Sequence, residues 1–275
     1  MRFSDKFLIK TLIASSFILS TLQPAYSADC AAKSGANTVP LLELYTSEGC
    51  SSCPPADKWL GGLKHDTTKF TPLAFHVDYW DYIGWKDKFS KAEYSDRQRK
   101  TAAFGGAGFV YTPQFVMNGR DFKGWDNARL NEKIELSQKL ASRAYLTLNV
   151  ITEANGDITL KAGAQAIKHI DFNTSDSKTS DTKSDAKNSD VFIALYENKL
   201  VSKVNAGENS GRELKHDYVV REFFGAYQMN NQSEFRKDFT LNSAWAKKDG
   251  GAVIFVQNSQ TGEILQSLAL PFCIH

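Results

Sequence analysis

The chain has 275 residues, a formal net charge of +2, 12% aromatic residues and four cysteines. That length buries a real core without disulfides being required for folding, and the aromatic content argues against a disordered chain. The near-neutral balance removes any electrostatic reason to seek nucleic acid or anionic lipid.

The N-terminus reads as a signal peptide over 1–27. Arg2, Lys6 and Lys10 precede an apolar stretch from Thr11 to Leu22, and Pro24-Ala25-Tyr26-Ser27 offers a small-x-small cleavage pattern. The alternative is a retained N-terminal anchor. Cutting after Ser27 also removes Asp5, so the 33 basic and 31 acidic residues fall to 30 of each and the charge to zero. The expected location is periplasmic or secreted, with no membrane attachment after signal removal and no nucleic-acid partner. Such a compartment permits disulfides.

The organising stretch is Leu41 to Ala56, LLELYTSEGCSSCPPA. Leu41 to Tyr45 suits a buried strand, Gly49 a turn, and Pro54-Pro55 the first turn of a helix running to Leu63. Cys50 and Cys53 therefore sit at a helix N-terminus, where the macrodipole favours a thiolate and depresses its pKa. Thr71 to Asp78 reads as a second buried strand containing His76. An aromatic loop follows with Tyr79, Trp80, Tyr82 and Trp85, and then a helix over Lys86 to Phe104. Gln114 to Met117 is strand-like, entered through Thr112-Pro113 and left through Asn118-Gly119, a strong hairpin signal. A cis bond at Pro113 would suit a tight approach. Asp126 caps a helix reaching Arg143. This order gives an α/β domain over 28–143.

From Ala144 the pattern alternates with period two, and about eight strands predict an all-β immunoglobulin-like sandwich over 144–275. Val191 to Tyr196 and Leu200 to Val204 read as one hairpin. Residues 173–190, rich in Ser, Thr, Asp and Lys, read as a disordered insert. Gly207 to Arg212 is a turn-rich loop.

The Cys-x-x-Cys at a helix start, with Thr-Pro and a hairpin some sixty residues later, resembles the thioredoxin superfamily. The strings LLELYTSEGCSSCPPADKWL, LAFHVDYWDYIGWKDKF and VYTPQFVMNGR are similar to those of a bacterial exported family known as domain of unknown function twelve-twenty-three, of thioredoxin-like class. The resemblance implies an α/β thioredoxin-like fold for the first domain and redox chemistry. It also implies a cis Pro113 against the dithiol and a Thr112 that offers backbone groups to a bound peptide. His216 and Arg221 match the same family's pattern, although sheet-face roles suit them better.

The chemistry expected is thiol–disulfide exchange. Cys50 is the exposed attacker and Cys53 the resolver. The uncharged Ser51-Ser52 and the nearby Glu48 argue against a very strong oxidant. Trp80, Tyr82 and Trp85 are candidates for a substrate groove beside the dithiol, or for domain packing. Arg97 and Arg99 read as a charged helix face. Cys30 and Cys273, at the two ends of the mature chain, are candidates for a second bridge. Half a zinc site is the competing reading of the two thiols, but His65, His76, His169, His216 and His275 are scattered, so no metal or cofactor is assigned. The alternatives kept open are metal or copper delivery through the same thiols and a partner-binding module with a structural disulfide. The partners expected are a protein or small-molecule thiol or disulfide and a redox partner protein.

Overall fold

The computed structural model describes residues 29–63, 66–152, 158–167, 188–228, 234–241 and 249–273. The expected signal peptide, most of the 173–190 insert, and His65, His169 and His275 lie outside the described residues. The last residues of the insert, Ser189 and Asp190, open a strand.

The first half follows its local signals closely. β1 (Asp29–Lys33) precedes β2 (Leu41–Thr46), which is buried along its whole length. α1 (Pro54–Gly62) starts on its two prolines, where no intrahelical N–H is needed. β3 (Thr71–His76) is also fully buried. α2 is shorter than expected, Ala92–Phe104. Its first residues are held out of the helix because the Asp87 carboxylate accepts from the Phe89 and Glu48 amides. β4 (Gln114–Met117) and β5 (Arg120–Asp121) form the Asn118-Gly119 hairpin, with positive φ at both turn residues. α3 (Asn127–Gln138) is capped by the Asp126 side chain, which accepts from the Arg129 amide.

The second half is all strand. It comprises β6 (Ala144–Thr152), β7 (Ile158–Ala166), β8 (Ser189–Glu197), β9 (Leu200–Lys203), β10 (Glu213–His216), β11 (Val219–Gln228), β12 (Glu234–Leu241), β13 (Gly250–Asn258) and β14 (Ile264–Pro271). β8 does not pair with β9. It lies between β11 and β13, while β9 turns away to pair with β10.

The expected fold class is overturned. An α/β thioredoxin-like domain followed by a separate immunoglobulin-like sandwich would keep two sheets. Instead one eight-stranded sheet runs β14-β13-β8-β11-β3-β2-β4-β5 and draws strands from both sides of Ala144. Only β2–β3 and β3–β11 are parallel; the other pairs in this sheet are antiparallel. With three helices among the described residues, the protein is mainly β. A second sheet, β1-β6-β7-β12, covers one face of the first.

The alternation of strand side chains explains this layering. In β8, Phe192, Ala194 and Tyr196 face a core shared with β2, β3 and the helices. Val191, Ile193 and Leu195 of the same strand face the second sheet. β13 divides in the same way, with Val253 and Phe255 on one side and Ala252, Ile254 and Val256 on the other. A strand buried on both faces reads as a continuous apolar run, so its pairing is hidden in sequence.

One side chain ties both halves together. Arg97 of α2 is buried, not on a charged surface, and its Nε donates to the Glu43 carboxylate of β2 at 2.7 Å. Its guanidinium lies about 5 Å from the ring centres of Phe75, Phe192, Phe223 and Phe255, which belong to β3, β8, β11 and β13. Arg99, by contrast, is exposed and pairs with Asp96. At the chain ends, β1 pairs with β6, and Cys30 is bonded to Cys273 with a Cα separation of 6.0 Å.

Candidate functional site

β2 ends at Thr46, and the chain turns through Ser47-Glu48-Gly49 into the two cysteines. Gly49 is needed for close approach, since a Cβ there would stand 3.0 Å from the Trp80 Cβ. Cys50 and Cys53 are joined in a disulfide, and Cys53 is the residue that precedes α1. The Cys50 sulfur lies 3.3 Å from the Ser52 hydroxyl.

The expected attacker is not exposed. Cys50 is 1% and Cys53 0% exposed, whereas Ser51 and Ser52 between them face solvent. The cover comes from the loop between β9 and β10. Asn209, fully buried, donates its side-chain amide to the carbonyls of Glu48 and Cys50, both at 2.9 Å. The Glu208 carboxylate accepts from the Ser51 amide at 3.0 Å. The Ser51 hydroxyl, and after it this amide, keep Glu208 below the usual carboxylate range. Gly207 packs on Trp85 and Ile83.

The aromatic loop divides by role. The Trp80 indole N–H donates to the Thr112 hydroxyl at 2.7 Å while its Cβ packs against Gly49. Trp80 thereby links the disulfide turn to the Thr112-Pro113 segment, whose peptide bond is cis. The Trp85 indole donates to the Glu48 carboxylate at 2.7 Å. Tyr82 is 82% exposed and belongs to neither contact. A surface cleft of about 900 Å³ lies by Gly105 to Phe109 and contains neither cysteine.

Directly beneath the turn is a buried polar cluster that the sequence did not single out as a site. His216 of β10 lies with Nε2 3.4 Å from the Glu48 carboxylate and Nδ1 3.6 Å from that of Asp57. These are ion-pair distances, but neither ring nitrogen makes an aligned hydrogen bond. Burial alone would push His216 down; the two carboxylates outweigh it and carry the ring up to about 9. Burial likewise opposes ionisation of Glu48, but the facing His216 ring leaves it lower than usual. The protonated ring therefore offsets the negative charge that Glu48 brings beside Cys50.

His76, at the end of β3, is wholly buried. Its Nδ1 lies 2.6 Å from Asp87, and its ring meets His216 edge-on at 4.9 Å. Asp57 accepts from the Thr46 hydroxyl at 2.9 Å. Arg221 stands apart, paired with Glu197 and lying over the Phe89 ring.

A family model matches residues 41–257, which include both site cysteines, Pro113, Asn209 and the histidine cluster but neither Cys30 nor Cys273. The chain belongs to the family described as protein of unknown function (DUF1223). No curated protein matches this DUF1223 chain. Among solved structures it is similar to protein AGR_C_4864 from Agrobacterium tumefaciens, with a TM-score of 0.59 at 21% identity over 86% of this chain and 96% of that one. It is also similar to HBP35 of Porphyromonas gingivalis, with a TM-score of 0.58 at 14% identity over 87% and 76%. At these identities the likeness is one of fold alone. Among the described residues of the DUF1223 chain, no helix is long and apolar enough to cross a membrane.

Proposed function

We propose that this chain is an exported thiol–disulfide oxidoreductase, acting in the periplasm or outside the cell through the Cys50–Cys53 pair. The observation that carries the reading is a Cys-x-x-Cys disulfide at a helix start whose cover is a loop held by a few hydrogen bonds. An incoming thiolate reaches the Cys50 sulfur once the Asn209 loop lifts. It forms a bond to that sulfur, the Cys50–Cys53 bond breaks, and Cys53 leaves as a thiolate. A second substrate thiol then attacks the mixed disulfide and releases Cys50. The substrate leaves oxidised as a disulfide, and the protein holds a dithiol. A redox partner protein returns the pair to its starting state. In the opposite direction, Cys50 attacks a substrate disulfide and Cys53 resolves.

Trp80 ties Thr112 to the disulfide turn, and Trp85 fixes Glu48 beside it. In this reading Pro113, Thr112 and Trp80 meet the substrate. The second reading is a structural disulfide, favoured by the burial of both sulfurs. Trapping with Cys53→Ala separates the two. Redox exchange gives mixed disulfides on Cys50 with other exported proteins; a structural bridge gives none.

A further inference from the structure

The Asp57, His76 and His216 side chains each offer a ligand atom within 4.8 Å of the others, and all three are buried. We propose that they bind one divalent first-row transition metal, with Zn²⁺ the best fit, Asp57 on the Nδ1 side of His216 and Glu48 behind its Nε2. The proposal does not rest on the redox reading, because no donor is a sulfur.

Three observations carry it. First, His76 is presented as metal-bound histidines are. Its Nδ1 is held by the Asp87 carboxylate at 2.6 Å, and Asp87 is itself fixed by two backbone amides. A carboxylate behind the ring sets the tautomer and leaves the Nε2 lone pair forward. That Nε2 is fully buried and has no hydrogen-bond partner.

Second, the facing groups are equally unsatisfied. Both nitrogens of His216 and the Oε1 of Glu48 are buried without an aligned hydrogen bond. Buried polar groups are normally paired. A protonated His216 would ease Glu48 and Asp57 but would leave the His76 Nε2 bare. Three buried carboxylates, Glu48, Asp57 and Asp87, surround the two rings, and a dication answers that excess of negative charge. Two imidazoles and one carboxylate form a donor set suited to zinc, with a fourth position left open.

Third, there is a path from solvent. A cleft of about 380 Å³ between α1 and β10, walled by Pro54, Lys58, Gly61 and Leu214, opens onto Asp57 and His216. Binding displaces any proton on the His216 ring, since ligating imidazoles are neutral.

The test uses the whole purified chain with both disulfides closed, as verified by the absence of titratable thiol. It is stripped of metal, dialysed against Zn²⁺ alone, and assayed by elemental mass spectrometry. One zinc per chain is expected, with the His76→Ala and His216→Ala variants falling to background. Zinc should raise the melting temperature of the wild type and not of either variant. Should the variants fail to fold, Co²⁺ loading of the wild type decides. Four-coordinate visible bands without sulfur-to-cobalt charge transfer support the site. No bound metal in the wild type, a thiolate charge-transfer band, or undiminished zinc in a folded His76→Ala/His216→Ala double variant overturns it.

Discussion

The Asn209 side chain donates to the carbonyl of Cys50 at 2.9 Å, across 159 residues of chain. It donates equally to Glu48, so one amide holds the loop over the disulfide turn. Asn209→Ala takes this donor from the Glu48 carbonyl and leaves the Cys50 carbonyl only the Cys53 amide, at a cost on the order of 1–3 kcal/mol. The account predicts a several-fold faster reduction of Cys50–Cys53 by dithiothreitol, read by alkylation and mass spectrometry. An unchanged rate would show that this loop does not control access.

Arg97 and Glu43 form a second long-range pair. Removing the arginine alone strands a buried carboxylate, which typically costs about 3–5 kcal/mol. Arg97→Met should lower the urea midpoint accordingly. The double variant Arg97→Met/Glu43→Leu should recover much of the loss, because an apolar pair of similar volume replaces an ion pair at little net cost. Equal losses in the single and double variants would contradict this.

The Cys30–Cys273 bridge closes a separation of 243 residues. Replacing both cysteines by serine should cost roughly 2–5 kcal/mol. It should leave the reduction rate of Cys50–Cys53 unchanged, since the bridge ties β1 to the chain end, away from the disulfide turn.

Gly119 has φ +76°, and a Cβ there would collide with the backbone carbonyl of Gly262. Gly119→Ala therefore combines a left-handed conformation with overpacking against rigid backbone. The expected loss is at least about 1–3 kcal/mol in equilibrium denaturation.

Local signals in the sequence located most elements. The apolar run at Leu41, the prolines before α1, Asp126 at α3 and Asn118-Gly119 each act within a few residues. What escaped is non-local. The parallel pairing of β11 with β3 rests on a register near Val219 and Ala74, and no local pattern encodes it. Arg97 looked solvent-facing because its partner Glu43 hides inside an apolar strand. Cys50 looked exposed because its cover, Asn209, lies in a loop that β9 and β10 bring back over the turn. Asp57, His76 and His216 converge from a helix and two strands, so their spacing forms no motif.

The central claim is that Cys50–Cys53 exchanges electrons with other molecules. Its most direct test is equilibrium titration of the folded protein against defined thiol–disulfide buffers, with each bridge read separately by the masses of its alkylated peptides. The account predicts that Cys50–Cys53 titrates reversibly at a potential above about −300 mV, outside the range of structural bridges. A Cys50–Cys53 pair that stays closed below that potential, opening only when the protein unfolds, would contradict it.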